Sequence, residues 1–95
     1  MTAYVIGDVE ITNPEGYEGY RPHVPATVIK YGGKYLVRGG AAETVEGTWI
    51  PQRLVVLEFP SIERAKEWYN SPEYSSIRGI RIENSHSNVI FVDGV

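Results

Sequence analysis

The sequence has no cysteine, a single methionine and only two histidines. Without cysteine there can be no disulfides, no thiolate nucleophile and no cysteine-held zinc or iron–sulfur centre. The two histidines, His23 and His86, lie far apart in the chain and form no short-spaced pair such as His-x-x-x-His, so no metal site is expected. A basic block is also missing. Nine Lys and Arg are scattered among twelve Asp and Glu, giving a net charge of −3, so no stripe exists to neutralise a row of phosphates. Nucleic acid is therefore not an expected partner. No apolar run is long enough to span a bilayer, and Met1-Thr2-Ala3-Tyr4 lacks the basic start and apolar stretch of a signal peptide. The expected location is the cytoplasm, with no membrane partner.

What remains is an ordinary globular composition. The 95 residues are 42% hydrophobic, 22% charged and 12% aromatic, consistent with one domain over residues 1–95. A chain of this size buries only ~60–68% of the surface its unfolded form exposes, so its core is modest. Tyrosine, with seven copies, supplies most of the aromatic surface.

Ala3 to Ile11, AYVIGDVEI, is β-branched and too short for a buried helix, which predicts a strand. Asn13-Pro14-Glu15 is a helix start, with an Asn cap, Pro at the first helical position and an acid at the positive end of the dipole. Tyr17, Tyr20, Val24, Val28 and Tyr31 then recur at helical spacing. Pro22 and Pro25 each lack an amide proton, so this helix is expected to kink or split into two short helices. Gly32-Gly33 ends it, and Lys34 to Ala41 reads as a second strand. A turn at Glu46-Gly47 leads through Trp49 to a third strand at Gln52 to Phe59, predicting a β-hairpin. Ser61 caps a short helix carrying Ile62, Ala65 and Tyr69, which should stop near Ser71 before Pro72. Pro72 can open a further turn through Glu73 and Tyr74, with Ile77 and Ile80 continuing a packed face. Ser85 to Val92 is the last strand.

The order β-α-β-β-α-β is that of the split βαβ, ferredoxin-like fold: an α+β domain with a four-stranded antiparallel sheet and its helices on one face. Strand side chains alternate in direction. Val5, Gly7, Val9 and Ile11 share one face of the first strand, and Tyr4, Ile6, Asp8 and Glu10 share the other. The third strand alternates Val55, Leu57 and Phe59 with Leu54, Val56 and Glu58, and the fourth alternates Val89 and Phe91 with Ile90 and Val92. The helices should cover the wholly apolar face. The second face is still apolar enough to predict a homodimer through the sheet. By its own alternation Arg38 should join Asp8 and Glu58 on that second face as a charged cluster, where perturbed pKa values and a ligand site would be placed.

The segments AYVIGDVEITNPEGYEGY, YGGKYLVRGG, RLVVLEFPS and WYNSPEYSSI, with Arg78 just beyond, together resemble a small bacterial family known as domain of unknown function 1330, in the dimeric α/β-barrel superfamily. The resemblance runs over nearly the whole chain. It implies a ferredoxin-like protomer whose sheet packs on a second protomer's sheet, with a cleft between helices and sheet. Tyr20, Arg38, Glu58, Trp68, Tyr69, Tyr74 and Arg78 match the family's pattern, whereas His23, Pro22 and Pro25 are less typical of it. The wider superfamily includes cofactor-independent monooxygenases, isomerases and haem-binding enzymes, so fold membership leaves the activity open.

The candidate chemistry follows. Asp8, His23 and Glu58 are the weak candidates for moving a proton. His86 sits between two serines in turn-like sequence. Tyr20, Arg38, Glu58, Trp68 and Arg78 are the candidate ligand-binding residues. Arg38, Arg53 and Arg78 offer the planar donor fork that grips a carboxylate. Gly32-Gly33 and Gly39-Gly40 fit neither a phosphate loop nor the dinucleotide fingerprint, and no cofactor is expected. The favoured reading is a homodimer that binds a small, anionic organic molecule in an apolar, aromatic-lined cleft. Two others stay open: a cofactor-independent isomerase or monooxygenase of small aromatic or lactone-like compounds, and a structural dimer without a ligand.

Overall fold

The computed structural model describes residues 1–95. Strand β1 (Ala3–Ile11) leads to α1 (Pro14–Tyr17), a 3-10 turn (Arg21–His23) and α2 (Val24–Lys30). After β2 (Lys34–Arg38) and β3 (Leu54–Phe59) come α3 (Ile62–Tyr69), α4 (Pro72–Glu83) and β4 (Ser85–Asp93). The strands form one sheet in the order β2-β3-β1-β4, antiparallel at every pairing, which is the ferredoxin-like topology.

β1 is hydrogen-bonded on both sides, and its register sorts the sheet into two faces. Val5 lies between Leu57 and Phe91, and Gly7 between Val55 and Val89; this face is covered by the helices. Tyr4, Ile6 and Asp8 alternate with them and point to the outer face, where Ile6 lies between Val56 and Ile90.

The first helical connection is broken as the prolines require. Asn13 caps α1, its side chain accepting from the Gly16 amide, but the helix lasts four residues. Pro22 falls in the 3-10 turn and Pro25 in the first turn of α2. The stripe of Tyr17, Tyr20, Val24 and Val28 is nevertheless buried throughout. α2 stops where Gly32 enters the left-handed region at φ 80°, and the Gly33 amide returns to the Val28 carbonyl at 2.9 Å.

The second connection is longer than expected. Ser61 caps α3 by accepting from the Arg64 amide at 3.1 Å, and Ser71 caps α4 by accepting from the Tyr74 amide at 3.1 Å. The turn expected to open at Pro72 is the start of α4, which runs twelve residues, and Ile77 and Ile80 pack against the core as expected. Tyr74, Ile77 and Arg81, spaced at helical intervals, turn one stripe toward the core.

β2 and β3 pair, but not through a tight hairpin. β2 ends at Arg38 and not at Ala41, β3 begins at Leu54 and not at Gln52, and residues 39–53 form an exposed loop. Gly39, at φ 71°, turns the chain out of β2, and a Cβ there would meet the Arg53 guanidinium at 2.2 Å. The Gln52 amide is taken by the Asp8 carboxylate at 2.8 Å, not by a strand neighbour. A bulge at Leu36 also breaks the alternation: Tyr35 pairs with Leu57, Val37 with Val56 and Arg38 with Val55. Arg38 is thereby moved to the register of the helix-covered face.

At the surface, α2 and α4 are clasped through Glu73. Lys30 forms an ion pair with it, and the Tyr31 hydroxyl donates to Oε1 at 2.9 Å. The Lys30 hydrogen bond is the largest influence holding the Glu73 carboxyl down at about 2, below its ordinary 4.5. A folded-state value below the unfolded one contributes stability that is complete above about pH 4.5 and is lost as the pH falls toward 2. Glu73→Gln is therefore expected to flatten the acid limb of the stability curve between those limits and to reduce its salt sensitivity. Urea unfolding across a pH series checks this; an unchanged acid limb would show that the clasp carries no stability.

Candidate functional site

Between the helices and the sheet lies a partly open cleft with a volume of about 60 Å³. Its floor is the row Val55–Gly7–Val89, in the middle of which a side chain is missing. Its roof is aromatic. Trp68 and Tyr74 stack with ring centroids 4.1 Å apart, Phe59 backs Trp68 at 5.4 Å, and the Trp68 indole N–H donates to Thr27 Oγ1 at 3.0 Å. These contacts lock the wall rings in place. Of the 14 residues around the cleft 11 are hydrophobic, as in a site that selects for apolar groups and uses a few polar ones for orientation.

The polar atoms in the wall converge. The Tyr20 and Tyr74 hydroxyls are 2.7 Å apart, and Arg81 Nε donates to Tyr74 Oη at 3.4 Å. Burial, reinforced by the Tyr74 hydroxyl, pushes the Tyr20 phenol far above its ordinary pKa, so it stays protonated. Burial also raises Tyr17, against the opposing influence of Arg53, Arg81 and Arg21 around it.

Arg81 is the unusual member. It is 6% exposed, yet no carboxylate pairs with it, and its long contact to Tyr74 is its one side-chain hydrogen bond. The other arginine in the wall, Arg21, is answered by Glu18 at 2.6 Å. A guanidinium remains charged at any pH at which this fold persists, and the two terminal nitrogens of Arg81 have no protein acceptor while keeping some contact with solvent. The arrangement is therefore suited to taking a carboxylate or similar anion by charge-assisted hydrogen bonds.

Of the residues the sequence marked for ligand binding, Tyr20 and Trp68 line this cleft. The others are elsewhere. Arg38 stacks on the Tyr35 ring at 4.8 Å, and Arg78 stacks on Tyr69 at 4.5 Å while donating to the Tyr69 carbonyl at 2.8 Å. Glu58 is on the outer face in an ion pair with Lys34 at 3.1 Å. The expected cluster of Asp8, Arg38 and Glu58 does not form. The bulge at Leu36 carries Arg38 away from the outer face, and Asp8 pairs with Leu54 at the opposite end of β3 from Glu58.

Asp8 is instead the anchor of the 39–53 loop. It accepts from the Trp49 indole at 2.8 Å, from the Gln52 amide at 2.8 Å and from the Arg53 amide at 3.4 Å. The Trp49 bond is the largest influence lowering its pKa; desolvation opposes it, and the two amides add to the lowering. His23, an exposed residue at the end of the 3-10 turn, and His86, beside Glu10 on the outer face, are both outside the cleft.

The sequence reading missed Arg81 and Gly7. Arg81 was detectable in principle, because it falls seven residues after Tyr74 on a stripe that otherwise turns inward; following the packed face only as far as Ile80 left it out. Gly7 had been placed on the correct face, but alternation alone says nothing about the space a glycine leaves.

A family model described as a domain of unknown function, DUF1330, matches residues 2–95. The chain belongs to this family. Among solved structures, a protein of unknown function from Rhodopseudomonas palustris is 17% identical, with a TM-score of 0.78 over 99% of this chain and 82% of that one. The protein Rv0793 from Mycobacterium tuberculosis is 18% identical, with a TM-score of 0.59 over 100% of this chain and 96% of its own. An uncharacterised NIPSNAP domain protein from Burkholderia xenovorans is 14% identical, with a TM-score of 0.54 over 100% and 95%. At these identities the likeness is one of fold. No curated protein matches the sequence.

Within this DUF1330 fold Asp8 serves the loop and not the cleft, which lies across the sheet from it. Asp8→Ala is expected to leave thermal unfolding of the core within about 1 kcal/mol of wild type, since its hydrogen bonds hold the loop and not the core, while exposing residues 39–53 to proteolysis. Limited digestion with fragment masses measures this; cleavage at wild-type rate would show that the carboxylate does not order the loop.

Proposed function

We propose that this protein binds a small organic anion in the cleft between helices and sheet, with Arg81 as its charge partner, and acts as a homodimer joined through the outer face of the sheet. The observation that carries the binding reading is a buried guanidinium with no protein carboxylate, set in an otherwise apolar wall. Aromatic rings confine the hydrocarbon part of the ligand, and Tyr20 and Tyr74 supply hydroxyls beside its charged end. Binding is favoured over turnover because no carboxylate or histidine lines the cleft, leaving no general base at the ligand.

The test is thermal melting of wild type and Arg81→Met in the presence of small carboxylic acids and, separately, inorganic phosphate. An acid at a hundred times its Kd is expected to stabilise the wild type by ~2.7 kcal/mol. The variant should lose this response yet stay within about 1.5 kcal/mol of wild-type stability without ligand, because methionine keeps most of the apolar stem that Arg81 packs. Equal responses from both proteins, or none from either, would overturn the reading.

The dimer rests on the outer face. Val56, Ile6 and Ile90 form an apolar row across three strands, and Ile90 is 56% exposed. The protomer measures 35 × 32 × 16 Å, a thin slab whose broad side can supply the ~800 Å² that each partner contributes to a stable interface. Sedimentation at micromolar concentration is expected to give twice the 10.6 kDa chain mass, and Ile90→Lys to give the monomer. A wild-type monomer would refute this half of the proposal.

A further inference from the structure

A glycine in the middle of a doubly paired strand needs an explanation. Gly7 adopts no positive φ, so no turn demands it. Nor does close packing: a Cβ built there would meet only Val89 Cγ2 at 3.7 Å and the Asn88 carbonyl at 3.9 Å, ordinary van der Waals contacts. Gly33 shows the contrasting case, where a Cβ would lie 2.6 Å from the Phe59 ring and packing enforces the glycine. A central strand is weakened by glycine, which brings backbone entropy and no side chain to pack. The neighbours of Gly7 on the same face, Val5 and Val9 along the strand and Val55 and Val89 across it, are all β-branched. What the missing side chain leaves is the floor of the cleft that Arg81 also lines.

Resting on the binding reading above, we infer that Gly7 sets the length of the ligand, which is a short-chain monocarboxylate with its hydrocarbon end over Gly7 and its carboxylate at Arg81. One acid group is called for, because Arg81 is the one cleft arginine without an acidic partner. The chain is short because about 60 Å³ admits about four to six water-sized groups. A multiply charged ligand would bring a second charge to a wall that is Val, Leu, Tyr and Trp almost throughout.

The experiment titrates straight-chain acids from acetate to hexanoate into wild type, Gly7→Ala and Gly7→Val by calorimetry, with melting curves taken without ligand. Wild type should show an optimum length. Gly7→Ala should move that optimum to a shorter acid, weaken the longest binder about fourfold for each CH2 excluded, and leave acetate unaffected. Gly7→Val should bind none of the longer acids. Without ligand, Gly7→Ala should melt several degrees higher, since a methyl fills space that folding does not require to be empty. If acids bind wild type through Arg81 but Gly7→Ala keeps the same optimum, or melts lower without ligand, the length assignment is overturned and the binding reading survives. If no acid binds wild type, both are overturned.

Discussion

The pairing of β1 with β3 on one side and β4 on the other is the constraint to which the rest of the molecule answers. A strand held along both edges cannot rotate, so its alternation decides what faces the helices and what faces out. A slip of one residue would bury Asp8 beneath the aromatic roof and expose Val5 and Val9. The observed register puts Val5, Gly7 and Val9 beneath Tyr17, Tyr20 and Trp68, and it is these two layers together that enclose the cleft.

Much of this was legible because the signals are local. Alternation identified both faces of β1, β3 and β4; Asn13, Ser61 and the prolines marked where helices begin and break; Gly32-Gly33 marked where one ends. The family resemblance carried by segments along the whole chain agrees with the family match over residues 2–95. What was not legible depends on distant partners. The bulge at Leu36 inverts the face of Arg38, and nothing in KYLVRGG announces it. The 39–53 loop opens because Asp8, more than thirty residues earlier, takes the Gln52 amide. The full length of α4 comes from Ile77, Arg81 and Tyr74 packing over the sheet, a tertiary contribution that weak local propensity around Gly79 does not disclose.

Charge is distributed unevenly in a way that net charge conceals. The chain carries −3 overall, yet Arg21, Arg53 and Arg81 all act on Tyr17 and no acid lines the cleft. Several acids are held by other partners: Glu73 by Lys30 and Tyr31, Glu58 by Lys34, Asp8 by the Trp49 loop, and Glu18 by Arg21 at the edge of the cleft. An acidic protein thus presents a locally cationic, low-dielectric recess, where a single guanidinium acts more strongly than it would in water.

Two residues depart from the rules of their own elements. Gly7 occupies a central strand position that favours a β-branched side chain, and Arg81 occupies an inward helical position that favours an apolar one. Each departs from what packing alone favours, through a missing side chain in one case and a charge with no acidic partner in the other. They come from opposite layers, one from the sheet and one from the last helix, and belong to segments more than seventy residues apart. A fold optimised only for its own stability would give no reason for both departures to border the same small cavity. Local rules are broken most often where function requires it, and under the binding proposal the two exceptions complement one another: one makes room for a ligand, and the other supplies the charge that holds it.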